Sequence, residues 1–424
     1  MLKIFLIIIL SILLSGTTVA QTGDAAAIDW QFGGHSKFQF IYLTFPDNSV
    51  FDEILGSSAI DLNLENRINV SARQNRWDFK LDYQFIATHA DTLQLATALP
   101  GTALPINSVI SDDRRLWDLT YSFGDDDKTA FVHRLDRLSV GYTTERTAWR
   151  FGRQAISWGN GLVFNPVDIF NPFDPAAVDK EYKTGDDMLY GQFLFANGND
   201  LQGVAIVRRD PRSGDVESDQ SSLALKYHGF LGTNEFDLLA AEHYGDQVFG
   251  AGGSAGMGGA IWRGDVTWTR TDRQDAWSAV TSISYSWTWG GKNISGLLEY
   301  YYGGFGQKDR RYSAEDLLRN PDLLKRLERG ELFTLGRNYL AASVTIEMTP
   351  LFLLIPSVFV NLEDPSSLLQ VVAQYDWKQN LQVLAALNVP IGSSGTEYGG
   401  IDAPAEGTYF SSGPGLFAQL AWYF

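Results

Sequence analysis

The 424-residue chain has no cysteine, which excludes disulfide staples and thiolate metal sites. Histidine is scarce as well. His35, His89, His133, His228 and His243 lie far apart in the sequence, with no paired spacing that would suit zinc. A hydrolase would need Ser, His and an acid or amide within hydrogen-bond reach, so an enzymatic reading has little support, and neither metal nor cofactor is expected. Basic residues are outnumbered, 33 Lys and Arg against 50 Asp and Glu for a net charge of −17. That balance argues against nucleic acid as a partner. Beyond residue 14 no apolar run is long enough for a helix to span a bilayer.

The one apolar run sits at the start. Lys3 precedes Ile4 to Leu14, broken only by Ser11, and SGTTVA follows with small residues at Thr18 and Ala20. This order of charge, short apolar core and small residues predicts a secretory signal peptide over 1–20, cut after Ala20. No cysteine follows the cut, so lipoprotein processing is excluded. Residues 21–424 then carry a formal charge of −18, Lys3 having gone, and are expected to form one exported domain.

What the chain has in plenty is aromatic rings and glycine, 26 Phe, 18 Tyr, 12 Trp and 41 Gly. Rings suit the interfacial girdles of a membrane β-barrel, and glycine suits its bends and turns. Alternation supports this. Trp77, Phe79, Leu81, Tyr83 and Phe85 alternate with Asp78, Lys80, Asp82 and Gln84, and between Trp277 and Trp289 an apolar outward set alternates with serines and threonine. A soluble sandwich would alternate too, but the chain's length and its leader favour the barrel.

Counted from both ends, strands fall near 28–45, 60–73, 76–90, 130–144, 147–160, 186–197, 200–211, 220–231, 234–244 and 247–254. The others fall near 258–272, 276–289, 293–305, 333–348, 351–363, 366–377, 380–391 and 410–424. The fold class expected is all-β, a transmembrane antiparallel up-and-down barrel of about 18 strands, or 16 or 20 with a pair removed or added. With both termini in the periplasm, long connections follow odd strands and become external loops, and short turns follow even ones. Leu116 to Phe123 is assigned to an external loop although its pattern could form a strand. In the 306–332 loop, Ser313 and Asn320-Pro321 can each start a helix and Gly330 can end one, giving either a lid or helices docked on the rim.

The stretch from Thr147 to Leu189 carries the functional reading. Trp149 to Trp158 reads as a strand bearing Arg150 and Arg153, and Gly159-Asn160-Gly161 closes it. Phe164, Val167, Ile169, Phe170 and Phe173 follow, set among Asn165-Pro166, Asn171-Pro172 and Asp174-Pro175, which forbid a continued strand. A connection this apolar must lie against something, and irregular loops of about 25 residues are usually functional. It is expected to fold into the barrel mouth, bringing Asp168, Asp174, Asp179, Glu181, Asp186 and Asp187 toward arginines on the wall. Strict alternation puts Arg150 inward and Arg153 outward into lipid, so a bulge at Gly152 is expected to return Arg153 to the lumen.

The last strand, GLFAQLAWYF, places Leu416, Ala418, Leu420, Trp422 and Phe424 on alternate positions. Trp422 and the terminal Phe424 resemble the signal by which outer-membrane proteins are recognised by the barrel assembly machinery. The run RLDRLSVGY from Arg134, followed by WRFGRQAISWGNG, resembles the wall and constriction of Gram-negative porins, in which a GRQ-bearing strand leads into an inward third loop. It is similar, more narrowly, to uncharacterised porin-like outer-membrane families with an SWG tripeptide at this place. The resemblance implies a monomer or trimer in the bacterial outer membrane acting as a passive channel, with Arg137, Arg150 and Arg153 as its basic wall and the six loop carboxylates opposite.

A charged constriction of this kind would set selectivity, because low-dielectric walls focus its field. The lumen set Glu65, Arg67, Asp78, Lys80, Asp82, Arg263, Asp265 and Glu299 is mixed in sign, which suits small polar solutes. Acidic loops suit divalent cations at a lipopolysaccharide surface. Two rivals remain: a component that exports or assembles a lipid or polysaccharide with an inner-membrane transporter, and a structural barrel plugged by its own loops.

Overall fold

The computed structural model describes residues 27–99, 110–124, 126–310 and 312–424; the expected leader, 1–20, lies outside them. Strands run in chain order as β1 (Asp29–Thr44), β2 (Ser58–Gln74), β3 (Trp77–Ala90), β4 (Thr120–Phe123), β5 (Thr129–Thr143), β6 (Thr147–Gln154) and β7 (Asp186–Leu194). Next come β8 (Asp200–Ile206), β9 (Ser222–Leu231), β10 (Asn234–His243), β11 (Asp246–Met257), β12 (Ala260–Arg270), β13 (Asp275–Trp289) and β14 (Lys292–Gly303). The rest are β15 (Asn338–Thr349), β16 (Phe352–Asn361), β17 (Ser366–Lys378), β18 (Leu381–Ile391), β19 (Ile401–Asp402), β20 (Tyr409–Phe410) and β21 (Gly415–Tyr423).

Eighteen of these form a closed antiparallel wall, each paired with its neighbour in sequence order and β21 pairing back to β1. The ring leaves no free edge, which lipid requires of a spanning sheet. The remaining three are β4, which lies against β5, and the β19–β20 ribbon in the last outer loop. Short turns cluster at one end, and the long connections 45–57, 91–128, 155–185, 304–337 and 392–414 at the other, as the parity of the sequence requires.

The outward face is apolar and exposed, with Trp77, Phe38, Leu225, Leu238, Phe249, Trp277 and Leu420 among its residues. The inward face is divided. On β1, β2, β3 and β5 it carries His35, Lys37, Arg67, Asp82, Arg134, Asp136 and Arg137, all buried. From β8 round to β18 it carries Val204, Ile206, Leu239, Val248, Val280, Tyr301, Tyr339, Phe359, Val372 and Leu384. That apolar arc receives the inward loop.

Three local features differ from the pattern read off the sequence. The strand expected over 147–160 ends at Gln154, because the residues after it turn into the lumen. The vacated stretch of wall is filled by the preceding outer connection: β4 pairs Thr120 with Arg134 through Phe123 with Phe131, and Arg115 bridges to Arg208 on the far side. Of the segment Leu116 to Phe123, expected in an external loop, Thr120–Phe123 is instead a strand that completes the wall. The bulge expected at Gly152 is absent, since Phe151, Gly152 and Arg153 face Leu189, Met188 and Asp187 without an inserted residue. Gly152 instead adopts φ +123°, and the register slips across from it, where Asp136 is the extra residue between Leu135 and Arg137 of β5.

Gly152 tolerates no side chain. A Cβ there would lie 2.1 Å from the Leu138 carbonyl oxygen, and a positive φ costs an L-residue roughly 1–3 kcal/mol by itself. Gly152→Ala is therefore expected to lower the temperature at which the folded barrel converts to its slower-migrating, heat-denatured form on a gel; an unchanged transition would mean that the strand exit is not strained.

Candidate functional site

The connection from 155 to 185 lies inside the barrel. Trp158, Val167 and Phe170 are buried against Val204, Ile206, Leu239 and Val248, and Phe164 against Val280, Tyr301, Tyr339 and Phe359. The Phe164 and Tyr301 rings stack at 4.8 Å, and the Trp158 indole N–H donates to Gln202 at 2.8 Å. Each such side chain withdrawn from water is worth roughly 1.5–3 kcal/mol. Asn165-Pro166 and Asp174-Pro175 form turns, closed by Asp168 N to Asn165 O at 3.2 Å and Ala177 N to Asp174 O at 3.0 Å.

The loop's entry is held by two carboxylates of the wall. Asp265 on β12 accepts the backbone N–H groups of Asn160 (2.6 Å) and Gly161 (3.1 Å). Glu299 on β14, with no exposed surface, accepts those of Leu162 (2.9 Å), Val163 (3.0 Å) and Phe164 (2.6 Å). Five successive peptides thus converge on two carboxylates, an anion nest turned inside out, with the anions supplied by the wall. The Asn160 side chain adds bonds to Asp265 at 2.8 Å and Asp237 at 3.2 Å. Gly161 fits because a Cβ would meet the Phe164 carbonyl oxygen at 1.9 Å.

The exit is held by charge. Arg153 is wholly buried: its Nε and Nη2 donate to Asp187 (2.8 and 3.0 Å), Nη1 to Asp112 (2.6 Å) and Nη2 also to the Trp117 carbonyl (2.5 Å). Its outward parity, opposite Leu138, is real. β6 is leaving the wall there, however, so the side chain meets the inserted 112–117 segment rather than lipid. Burial alone would raise the Asp112 carboxyl, but Arg115 and Arg153 hold it down at about 2. Asp186 is clasped by Arg208 at 2.6 Å.

The other expected residues divide by what they touch. Arg137 donates to Asp136 at 2.7 Å and to the Lys183 carbonyl. Asp168 meets Lys183 Nζ at 2.6 Å, and burial lifts its carboxyl to about 6. Asp179 and Glu181 reach across to Lys37 of β1 at 2.6 and 2.7 Å, and Tyr423 donates to Glu181 at 2.9 Å. Asp174 is exposed at the loop's tip, its carboxylate accepting Ala176 N at 2.8 Å. Arg150 is exposed beside Asp78 at 3.1 Å. Glu65 bonds His35 at 3.1 Å, Arg67 bonds Asp136 at 2.8 Å, Lys80 stands 3.7 Å from Asp82, and Arg263 donates to Ser284 at 3.0 Å. The Trp422 and Phe424 rings meet at a tilt of 44°, their centroids 5.1 Å apart, at the closing seam, where Phe424 exchanges backbone bonds with Gly34.

The expected set therefore does not come together as one ring. Arg153, Asp168, Asp186, Asp187, Asp265 and Glu299 are buried fastenings of the loop, out of reach of a solute. Residues that sequence reasoning passed over complete these fastenings: Lys37, Asp112, Asp136, Lys183 and Arg208. Lys37 had a signal, alternating with His35 on β1. Asp112 had none.

Between the loop's last turn and the charged wall lies a cavity of about 210 Å³ bordered by Lys37, Glu65, Arg67, Arg134, Asp179 and Tyr182. The Tyr182 ring lies 4.1 Å from the Arg67 guanidinium carbon. On the loop's other side is a larger cavity, about 560 Å³, against β14 to β18 and β21.

Over the outer end, helices Ala314–Leu318 and Pro321–Glu328 start at Ser313 and Asn320, as their caps predict. They dock on the rim, with Arg326 to Asp246 at 2.5 Å and Asp322 accepting from Thr271 at 3.0 Å. Leu323 packs with Tyr312 and Ile401 of the last loop. Glu397 ties the last outer connection to the 304–337 connection and to the outer ends of β15 and β16, accepting from Leu335 N (2.8 Å), Tyr339 OH (2.5 Å) and Asn361 Nδ2 (2.7 Å).

With this geometry in view, likeness to solved structures can be weighed. The fold is that of outer-membrane porins. A BenF-like porin from Pseudomonas fluorescens Pf-5 superposes with a TM-score of 0.53 at 10% identity, covering 93% of this chain and 98% of its own. Pseudomonas aeruginosa OccK9 (OpdG) gives the same values, and OccK2 (OpdF) of that organism, solved in complex with glucuronate, gives 0.52 at 10%. No family model and no curated protein matches the chain. At such identity the likeness is one of architecture, an 18-strand outer-membrane barrel.

Two outcomes test the fastenings. Glu299→Gln keeps the volume but turns an amide N–H₂ toward backbone donors, and hydrogen bonds to a charged acceptor are worth about 1.5–3 kcal/mol each. The loop's entry should loosen, read as faster amide exchange at 160–164 with the barrel intact. In the cap, burial pushes Glu397 up to about 7 from the ordinary carboxyl value of 4.5, so the closed cap favours its protonated form. That contribution is fully present below pH 4.5 and is lost as pH rises through about 7. Amide protection of 312–335, corrected for intrinsic exchange, should fall over that window, and Glu397→Gln should flatten the dependence.

Proposed function

We propose that the protein is an outer-membrane porin in which small solutes diffuse passively past the inward loop, and that the loop's last turn, with the wall of β1 to β5, forms the constriction. The observation that supports this most is the division of the lumen. The loop is packed hard against the apolar arc and fastened at both ends, while its opposite edge meets charged side chains through discrete polar contacts beside a cavity of about 210 Å³.

In this reading the selective groups are those that keep access to the lumen. Asp179 and Glu181 on the loop keep partial exposure at one opening, with the buried Lys37, Arg67 and Arg134 behind them on the wall, and Arg150, paired with Asp78, borders the vestibule below. Asp174 stands at the tip. The buried pairs contribute shape and not contact. Charges of both signs line the passage in a low-dielectric frame, which supports passage of small polar solutes through a transverse field. The glucuronate bound to OccK2 supports the size class. The carboxy-terminal ring pair supports delivery by the barrel assembly machinery after export by the leader, and the acidic outer loops suit a lipopolysaccharide surface bridged by divalent cations. The reading holds for a monomer or a trimer.

Planar-bilayer recordings of purified protein test it. Replacing Asp179 and Glu181 by Asn and Gln should leave a conducting channel whose cation-to-anion permeability ratio falls by about two- to fivefold, because two fixed negative charges leave a narrow passage. Wild-type conductance together with wild-type selectivity would place the loop's edge outside the ion path.

A further inference from the structure

The larger lumen cavity has a chemistry that a channel for small polar solutes does not need. It measures about 560 Å³ and lies between the loop's 175–181 segment and the inner faces of β14 to β18 and β21. Its wall is apolar: Leu297, Ile355, Phe359, Val372 and Leu384 all point inward there, and Val178 of the loop packs against Ile355, Val372 and Leu384. The cavity is not a gap left by loose packing of the loop. The loop's own rings fill the arc on either side, while this stretch is met by the aliphatic Leu162, Val163, Pro175, Ala177 and Val178 and by no aromatic ring of the loop.

Its polar lining includes Lys180, Ser343, Ser357 and Gln370, and three further glutamines stand together. Gln374, Gln382 and Gln419 face the same space. Gln382 uses its N–H₂ on Asp376 at 2.9 Å, and Gln419 uses its oxygen on Gln39 at 2.8 Å. Each keeps the complementary half of its amide toward the cavity. The charges at the border, Asp179 and Glu181, are already matched by Lys37. An apolar-walled cavity of a few hundred Å³ with a small set of neutral donors and acceptors is the usual form of a site for a small organic ligand.

We infer that this cavity is a binding site for small amphiphilic solutes, with an aromatic or short branched apolar body against Ile355, Phe359 and Leu384 and an uncharged amide or hydroxyl head on the glutamines. The inference names a solute class for the proposed channel and rests on that reading for transport, though not for binding.

N-acetyl-L-phenylalaninamide is a suitable probe, with N-acetylglycinamide as its matched control lacking the ring. On full-length purified protein, calorimetric titration should show saturable binding of the first, at least about tenfold tighter than the control, as burial of one ring implies. In planar bilayers the same probe should interrupt the ion current in a concentration-dependent way. The Ile355→Ser, Leu384→Ser double variant should lose both effects by about tenfold while keeping open-channel conductance, and Gln374→Ala should weaken binding with the apolar wall intact. Equal affinity for the two probes, or an unaltered double variant, would overturn the inference and leave the channel reading standing. A protein that binds the probe but passes no current would do the reverse.

Discussion

The structure depends on how two buried carboxylates of the wall find their hydrogen bonds. Asp265 and Glu299 sit on the lumen face of strands that cross a bilayer, away from any cation close enough to pair with them among the described residues. A buried carboxylate without hydrogen bonds is far too costly to persist. Here the five peptides from Asn160 to Phe164 supply those bonds. The need is mutual, because those same peptides belong to a chain that has left its sheet and has no ladder partner. Wall and loop each carry what the other lacks, and this fixes the depth and direction at which the loop enters. Phe164 is thereby delivered to Tyr301, and Trp158 to the arc above Gln202.

Once the entry is fixed, the exit follows. β6 departs at Gln154 and β7 begins at Asp186, which opens the wall above them. An open notch would expose unpaired backbone to lipid, so the 112–123 segment closes it. Arg153 is the member shared by all three parts: its guanidinium has enough donors in fixed directions to bond the departing strand's partner Asp187, the patch residue Asp112 and the Trp117 carbonyl at once. Lysine has neither the reach nor the number of fixed donors for that junction. The arginine that resembles a porin's basic wall is in this chain part of the wall's repair.

Much of the fold could be read from the chain and much of the site could not, for the same reason. Period-two alternation reports which face of a strand meets lipid, so segments such as Trp77 to Phe85 and Trp277 to Trp289 were legible, as were the parity of long and short connections and the caps at Ser313 and Asn320. Alternation says nothing of what lies across the lumen. Ala155 to Trp158 still alternates after the strand has ended, because Ile156 and Trp158 face an apolar inner wall instead of lipid. Asp265 and Glu299 were legible as inward residues, but their partners are backbone N–H groups, which carry no side-chain signature. Asp112 belongs to a loop with no periodicity, and Asp136 points inward only because of a register slip that strict counting hides.

The division of the lumen explains how one loop is held in a single placement. A loop held only by ion pairs would give way with salt and pH, since exposed pairs are worth little. A loop held only by apolar packing would have no fixed register along the barrel axis. Here apolar packing supplies most of the holding energy on the arc from β8 to β16, and directional bonds at each end choose a single placement. On the charged wall of β1 to β5, Lys37 pairs with Asp179 and Glu181, Arg67 lies against the Tyr182 ring and Arg137 donates to the Lys183 carbonyl, so polar contacts hold the loop's other side.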